Sequence, residues 1–129
     1  HPVDVARLSG LAARGRSLFE EDLSRGRPLR WRNGESGSGV CELDLGREVT
    51  VGIAALEEEI AGGQSVARYR LEGSRDGTAW VTLSRGQTIG YRKLDRFPGR
   101  KVRWVRLIVE EALAEPTIHR VGMFHPVPL

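Results

Sequence analysis

Val40-Cys41-Glu42-Leu43-Asp44-Leu45 puts Cys41, Leu43 and Leu45 on one side of an extended chain and Glu42 and Asp44 on the other. That is the period of a strand with one face buried. The alternation returns at Val49, Val51 and Ile53, and again where Tyr69 and Leu71 alternate with Arg70 and Glu72. Trp80 to Leu83, Val102 to Val109 and Ile118 to Phe124 complete the predicted strands, with Val105, Leu107 and Val109 facing inward. Gly46-Arg47-Glu48 reads as a turn between two of them. Ser74-Arg75-Asp76-Gly77 reads as a hairpin turn, because its Asp-Gly pair accepts positive φ. Sixteen glycines and six prolines are scattered through the chain, so long helices are not expected. Only Val5 to Ala13 and Glu110 to Ala114 are predicted as short helical turns. Six or more strands with no helix to cross between them predict an all-β, antiparallel sandwich or barrel. A length of 129 residues predicts one domain.

Several functions are argued against by what the residues fail to assemble. The longest uncharged apolar run, Val51 to Leu56, is far below the ~20 residues of a membrane-spanning helix. No basic, apolar and small-residue leader is read at the N-terminus. The single Cys41 excludes an internal disulfide, and on an apolar strand face it reads as a small hydrophobe. Gly34 to Gly39 is a loop, but it fits neither a nucleophile elbow nor a phosphate cradle. His119 and His125 have no neighbouring cysteine or carboxylate in sequence, so they read as surface histidines and no metal site is expected. Residues 85–106 carry eight bases against one Asp95, whereas residues 42–59 carry six acids against one Arg47. Eighteen of the twenty bases are arginine, and Asn33 is the only asparagine. That bias reads as genome composition, so nucleic acid is not the expected partner. Glu57-Glu58-Glu59 has no second acidic cluster to act as acid–base partner, and the chain is expected not to be an enzyme by itself.

The order of landmarks is more specific. Trp31 precedes a loop and then Glu42-Leu43-Asp44-Leu45-Gly46. Ser74-Arg75-Asp76-Gly77 is followed by Trp80, and Trp104-Val105-Arg106-Leu107 comes later. This series resembles the discoidin, or coagulation factor type C, domain and the family 32 carbohydrate-binding modules. Thr88-Ile89-Gly90-Tyr91-Arg92-Lys93-Leu94, with Leu56 to Ile60 and Gly63-Gln64, is similar to the C-terminal domain of family 29 α-L-fucosidases. The resemblance implies an antiparallel jelly-roll β-sandwich of about eight strands. It implies a single domain over residues 1–129 at the C-terminus of a larger glycoside hydrolase. The catalytic barrel of that parent, which removes terminal α-L-fucose, lies elsewhere. It further implies a secreted, periplasmic or lysosomal parent.

Two functional readings follow from that resemblance. In the first, loops at one end of the sandwich (Arg14 to Asp22, Arg32 to Gly39, Glu57 to Val66) bind a fucosylated or galactose-type carbohydrate weakly. Asn33, Glu35, Glu57, Glu58 and Gln64 supply the planar amides and carboxylates that sugar hydroxyls prefer. In the second, Tyr91, Arg92 and Lys93 pack against the parent's own catalytic barrel, and no sugar is bound. Trp31 and Trp80 are expected to be structural, and Trp104 is left open. No cofactor is expected. Relatives of the sugar-binding kind hold calcium between an acidic turn before the first tryptophan and a glutamate on the last strand. Here Ser24 to Trp31 has no carboxylate and Arg120 falls at the glutamate position. The calcium site is therefore expected to be lost, with Arg120 capping carbonyls of the turn in its place.

Overall fold

The structure, a computed structural model, describes residues 21–33, 38–59, 65–114 and 116–127. Among these none is helical, and six strands run in the order β1 (Arg30–Asn33), β2 (Gly39–Glu58), β3 (Val66–Ser74), β4 (Trp80–Gly86), β5 (Lys93–Ala112) and β6 (Ile118–Phe124). All pairings are antiparallel, in the order β1-β2-β5-β3-β4, with β6 on β2. The all-β antiparallel expectation holds, with six strands where about eight were implied. The difference comes mainly from β2 and β5, each 20 residues long.

Both long strands absorb what the sequence marks as breaks. Between Asp44↔Trp104 and Val49↔Val102, residues 45–48 of β2 lie opposite Arg103 alone. Gly46-Arg47-Glu48 is therefore a wide irregularity inside one strand and not a chain reversal. Gly46 supplies the φ of +83° it needs, and its N–H donates to Asp44 Oδ1 at 2.7 Å. Between Val51↔Arg100 and Ile53↔Arg96, residues 97–99 of β5 lie opposite Gly52. Pro98, which has no N–H to give, is tolerated because it falls in that interruption. The first part of β2 pairs with β1 and with residues 104–109 of β5, and its second part with residues 93–102 of β5 and with β6.

Most of the alternating residues point as predicted, but Ile53 does not share the face of Val49 and Val51: past the irregularity at Gly52 it joins a second buried cluster with Ala55 and Phe124. Cys41, Leu43, Leu45, Leu71, Val105, Leu107 and Val109 join one buried cluster with Val51, Leu56, Tyr69, Val121 and Met123. Burial pushes the Cys41 thiol up to about 12, so it is an inert core residue. Trp31 is half-buried and packs on that cluster. The hairpin turn also forms as predicted: Gly77 has φ +81°, and Asp76 Oδ1 accepts the N–H groups of Thr78 (2.8 Å) and Ala79 (2.9 Å). These bonds hold the Asp76 carboxyl well below its ordinary value. The helical turn predicted over Glu110 to Ala114 is corrected. β5 continues through Ala112, because Val66↔Ala112 and Arg68↔Glu111 pairing with β3 offers a ladder that one helical turn cannot match. The other predicted turn, Val5 to Ala13, lies outside the described residues.

One polar cluster crosses the core. The Tyr69 hydroxyl donates to Asp95 Oδ2 at 2.6 Å, Ser84 Oγ donates to the same oxygen at 2.9 Å, and Lys93 Nζ stands 3.6 Å from Asp95 Oδ1. Burial, reinforced by Asp95, drives the Tyr69 hydroxyl far above its ordinary value, so it stays a donor. Tyr69→Phe removes one charge-assisted bond while Ser84 and Lys93 remain. The expected loss is about 1–2 kcal/mol, read from urea unfolding with an unchanged m-value.

Candidate functional site

Glu58, the last residue of β2, is fully buried. Its Oε2 accepts from Ser65 Oγ (2.9 Å) and the Val66 N–H (3.2 Å), and its Oε1 from the Gly90 N–H (2.9 Å). Its own N–H returns a bond to Gly90 O at 3.2 Å. The carboxylate proposed from sequence as a sugar ligand is thus an internal staple, and it offers nothing to a molecule outside. It fastens three segments at one end of the fold: the close of β2, the entry to β3, and the Thr88-to-Lys93 segment. Gly90 takes φ +69° there, and Ile89 before it is buried.

Tyr91 projects from this fastened loop, 71% exposed. The Leu113 N–H bonds to Ser65 O at 2.7 Å, and the Leu113 side chain is 82% exposed. Two large apolar groups therefore stand bare at the end that Glu58 organises. Arg92 is exposed beside Tyr91. Lys93 is half-buried, its Nζ 5.6 Å from the Tyr69 ring centre and 3.6 Å from Asp95 Oδ1. Strand alternation points it away from Arg92.

Glu57 faces the other way from Glu58 and joins a charged chain. Arg120 on β6 donates to Glu57 Oε2 at 2.7 Å and to Asp22 Oδ2 at 3.0 Å, and His119 Nε2 stands 3.3 Å from Glu57 Oε1. Asp22 Oδ1 accepts from the Ser24 N–H (2.9 Å) and the Met123 N–H (3.2 Å). Burial raises both carboxyls. It is outweighed at Asp22 by the bonds from Ser24, then Arg120 and Met123, and at Glu57 by those from Arg120 and His119. Both end below their ordinary values. Arg120 reaches the turn through Asp22 rather than by capping carbonyls as expected. Asp22 lies two residues before the carboxylate-free turn Ser24 to Trp31. Two carboxylates already bridged by a guanidinium are a poor fit for calcium, which wants six to eight oxygens and no cation in their midst. Among the described residues no three His, Cys, Asp or Glu side chains group closely enough to hold a metal.

Asn33 stands at the end of β1, opposite Gly39. Glu35 and Gln64 lie outside the described residues. On the outer face of the sheet, Arg106 lies 4.0 Å over the Trp80 ring and donates to Glu72 Oε1 at 2.6 Å. Glu72 also accepts from Arg70, which reaches Glu110. Trp80 is half-buried under that guanidinium. Trp104 differs: Arg103 lies 4.9 Å from its ring centre, and the ring lines an open cavity with Arg27, Pro28, Arg30, Glu42 and Asp44.

Over 92 residues, 70% of its length, the chain is 35% identical to the rice protein named "Putative alpha-L-fucosidase 1" (Oryza sativa subsp. japonica). The chain is homologous to part of an α-L-fucosidase. It matches only 18% of that fucosidase's length. A Ruminococcus gnavus GH29 fucosidase solved with fucose carries the same fold, with TM-score 0.77 and 21% identity over 95% of this chain and 30% of that one. The fold also matches chitosan-binding module 1 of a Paenibacillus sp. IK-5 chitosanase/glucanase (TM-score 0.67, 15% identity), over 80% of this chain and 97% of that module. No family model matches the sequence. Glu58 ties down the Thr88-to-Leu94 segment through Gly90.

Proposed function

We propose that this chain is a non-catalytic, C-terminal domain of an α-L-fucosidase-type glycoside hydrolase, with its Tyr91 end packed against the parent's catalytic barrel. The observation that carries this reading is the pairing of exposed Tyr91 and Leu113 with a loop base held by a buried carboxylate. Large apolar groups on a stiff support lose little freedom on docking, and such patches on a soluble domain mark contact surfaces. A jelly-roll sandwich of the discoidin type is the architecture we adopt. It is supported by two interrupted long strands that carry two buried clusters.

The test is co-expression of the chain with the catalytic part of such a fucosidase. Wild type should co-purify. Tyr91→Ala with Leu113→Ser should not, while its own unfolding free energy moves by less than about 0.5 kcal/mol, as for exposed positions. Equal co-purification by the double variant overturns the reading. The chain alone should turn over no aryl α-L-fucoside, measured by release of the aryl group.

The second reading is weak binding of fucosylated or galactose-type sugar at the loop end through Asn33, Glu35, Glu57 and Gln64. It is favoured by the fold shared with a sugar-binding module. It is weakened by Glu58 facing inward and Glu57 being tied to Arg120. Amide shifts around Glu57 on titration with fucose or galactose would favour it.

A further inference from the structure

The Trp104 cavity, at the opposite end of β3 from Ser65, holds about 320 Å³, within the range of small-ligand clefts. Its walls do not balance in charge. Asp44 is taken by Arg103, which donates from Nε (2.9 Å) and Nη2 (3.1 Å), and by the Gly46 N–H. Glu42 is taken by Arg32. Both acids that line the cavity are therefore neutralised by bases beside them. The Arg27 and Arg30 side chains make no hydrogen bond or ion pair among the described residues, and the Arg27 guanidinium acts on Asp44 through its charge alone. Two guanidinium groups without a hydrogen-bonded acid line the same cavity as the Trp104 indole.

The cavity is also firmly built. The Arg27 guanidinium lies against Gly46, where any Cβ would collide with it, so the glycine gives the guanidinium its seat. Trp104 is held by Arg103 near its ring and by Gly77, whose missing Cβ would come 3.4 Å from the indole nitrogen. Arg27 further borders a second cavity of about 460 Å³, shared with Arg25 and Arg47. The acid at its edge, Asp22, is committed to Arg120, while Glu21 remains exposed. Two adjoining cavities with a shared cationic wall suit an extended ligand.

We infer that Trp104, Arg27 and Arg30 bind an acidic saccharide, a pyranose bearing a carboxylate or a sulfate ester, and that a second sugar extends toward Arg47. The inference rests on the reading that the parent enzyme works on glycans. An indole face packs against the C–H face of a pyranose, and a guanidinium fork matches a planar or tetrahedral oxyanion. An acidic peptide would meet the same charges but has no ring to lay on Trp104.

The test is NMR titration of the 129-residue chain with trigalacturonate, a sulfated galactose disaccharide, a neutral galactose disaccharide, hexa-aspartate and inorganic sulfate. Saturable shifts of the Trp104 indole N–H and of the Arg27 and Arg30 amides are expected with one or both acidic sugars. Whichever acts identifies the anion. Arg27→Ala with Arg30→Ala should weaken that binding roughly tenfold or more with an unchanged melting temperature. Silence of both acidic sugars at ~10 mM overturns the site. So does equal affinity for the neutral disaccharide, for hexa-aspartate or for sulfate. Docking of the Tyr91 end is scored separately by co-purification, so failure of one does not imply failure of the other.

Discussion

Glu58→Ala is expected to lower the stability of this domain by about 3–4 kcal/mol, the largest effect of any single polar substitution. The side chain is fully buried, and its removal strands Ser65 Oγ and the N–H groups of Val66 and Gly90 without acceptors. Each buried donor left alone costs about 1–3 kcal/mol, and the three share one cavity, so the costs do not simply add. For a domain of this size the change corresponds to a melting temperature lower by about 10 °C or more. Glu58→Gln keeps one acceptor oxygen but turns an amide N–H₂ toward a backbone donor, so roughly half of the loss should remain. Glu111→Ala is the control. Its 3.6 Å pair with Arg68 is more than half exposed on both sides and should be worth less than about 0.5 kcal/mol. A Glu58→Ala loss as small as that control would remove the staple from the account. Because Gly90 depends on Glu58, the amide resonance of Tyr91 should broaden in the variant before the core unfolds.

Arg120→Ala is the second large effect, about 2–3 kcal/mol near neutral pH. It leaves the Asp22 and Glu57 carboxylates, 13% and 16% exposed, facing each other with no cation between them. The Arg120 side chain is itself 35% exposed, so solvent screening keeps the figure below that of a fully buried pair. The pH dependence carries a sign. Both carboxyls are held below their ordinary values in the fold, so the stability they give is complete above those values and is lost as pH falls through the folded ones. Wild type should therefore weaken in acid, below about pH 4. The gap between wild type and Arg120→Ala should narrow over the same window, as the stranded carboxyls take up protons. A gap independent of pH would assign the loss to the Arg120 guanidinium over the Phe124 ring instead of to the two carboxylates. We also propose that the chain binds no calcium, so melting curves with chelator and with millimolar calcium should superimpose. A calcium-dependent rise of several degrees would refute this.

Residues whose meaning is local could be read from the sequence. Leu43, Leu71, Val105 and Leu107 are buried because alternate side chains of a strand must share a face. Asp76-Gly77 turns because its requirements, positive φ and an acceptor for two N–H groups, are met within five residues. Arg30–Asn33 carries no strand signal of its own, since four residues are too few to establish a period, and only pairing with Gly39 to Glu42 makes them a strand. Gly46, read as part of a turn, is the instructive failure, and Pro98 in β5 is its counterpart. Each is a breaker by itself, yet β2 and β5 run through both, because neighbouring pairs on either side keep the ladder intact while a few residues bulge out.

The candidate site divides along the same line. Sequence could name Glu57, Glu58, Tyr91 and Lys93 as polar or aromatic groups near loops, since composition and order are properties of the chain. It could not rank them, because which way each side chain points depends on the partner strand. A one-residue step sends Glu57 to Arg120 and Glu58 into the interior, and another sends Arg92 outward and Lys93 onto Tyr69. Asp22 and Arg120 are 98 residues apart, and no local pattern announces such a pair. Hydrophobic alternation fixes strand identity through the geometry of a single extended chain. Burial and charge pairing are set by register, which exists only when strands meet.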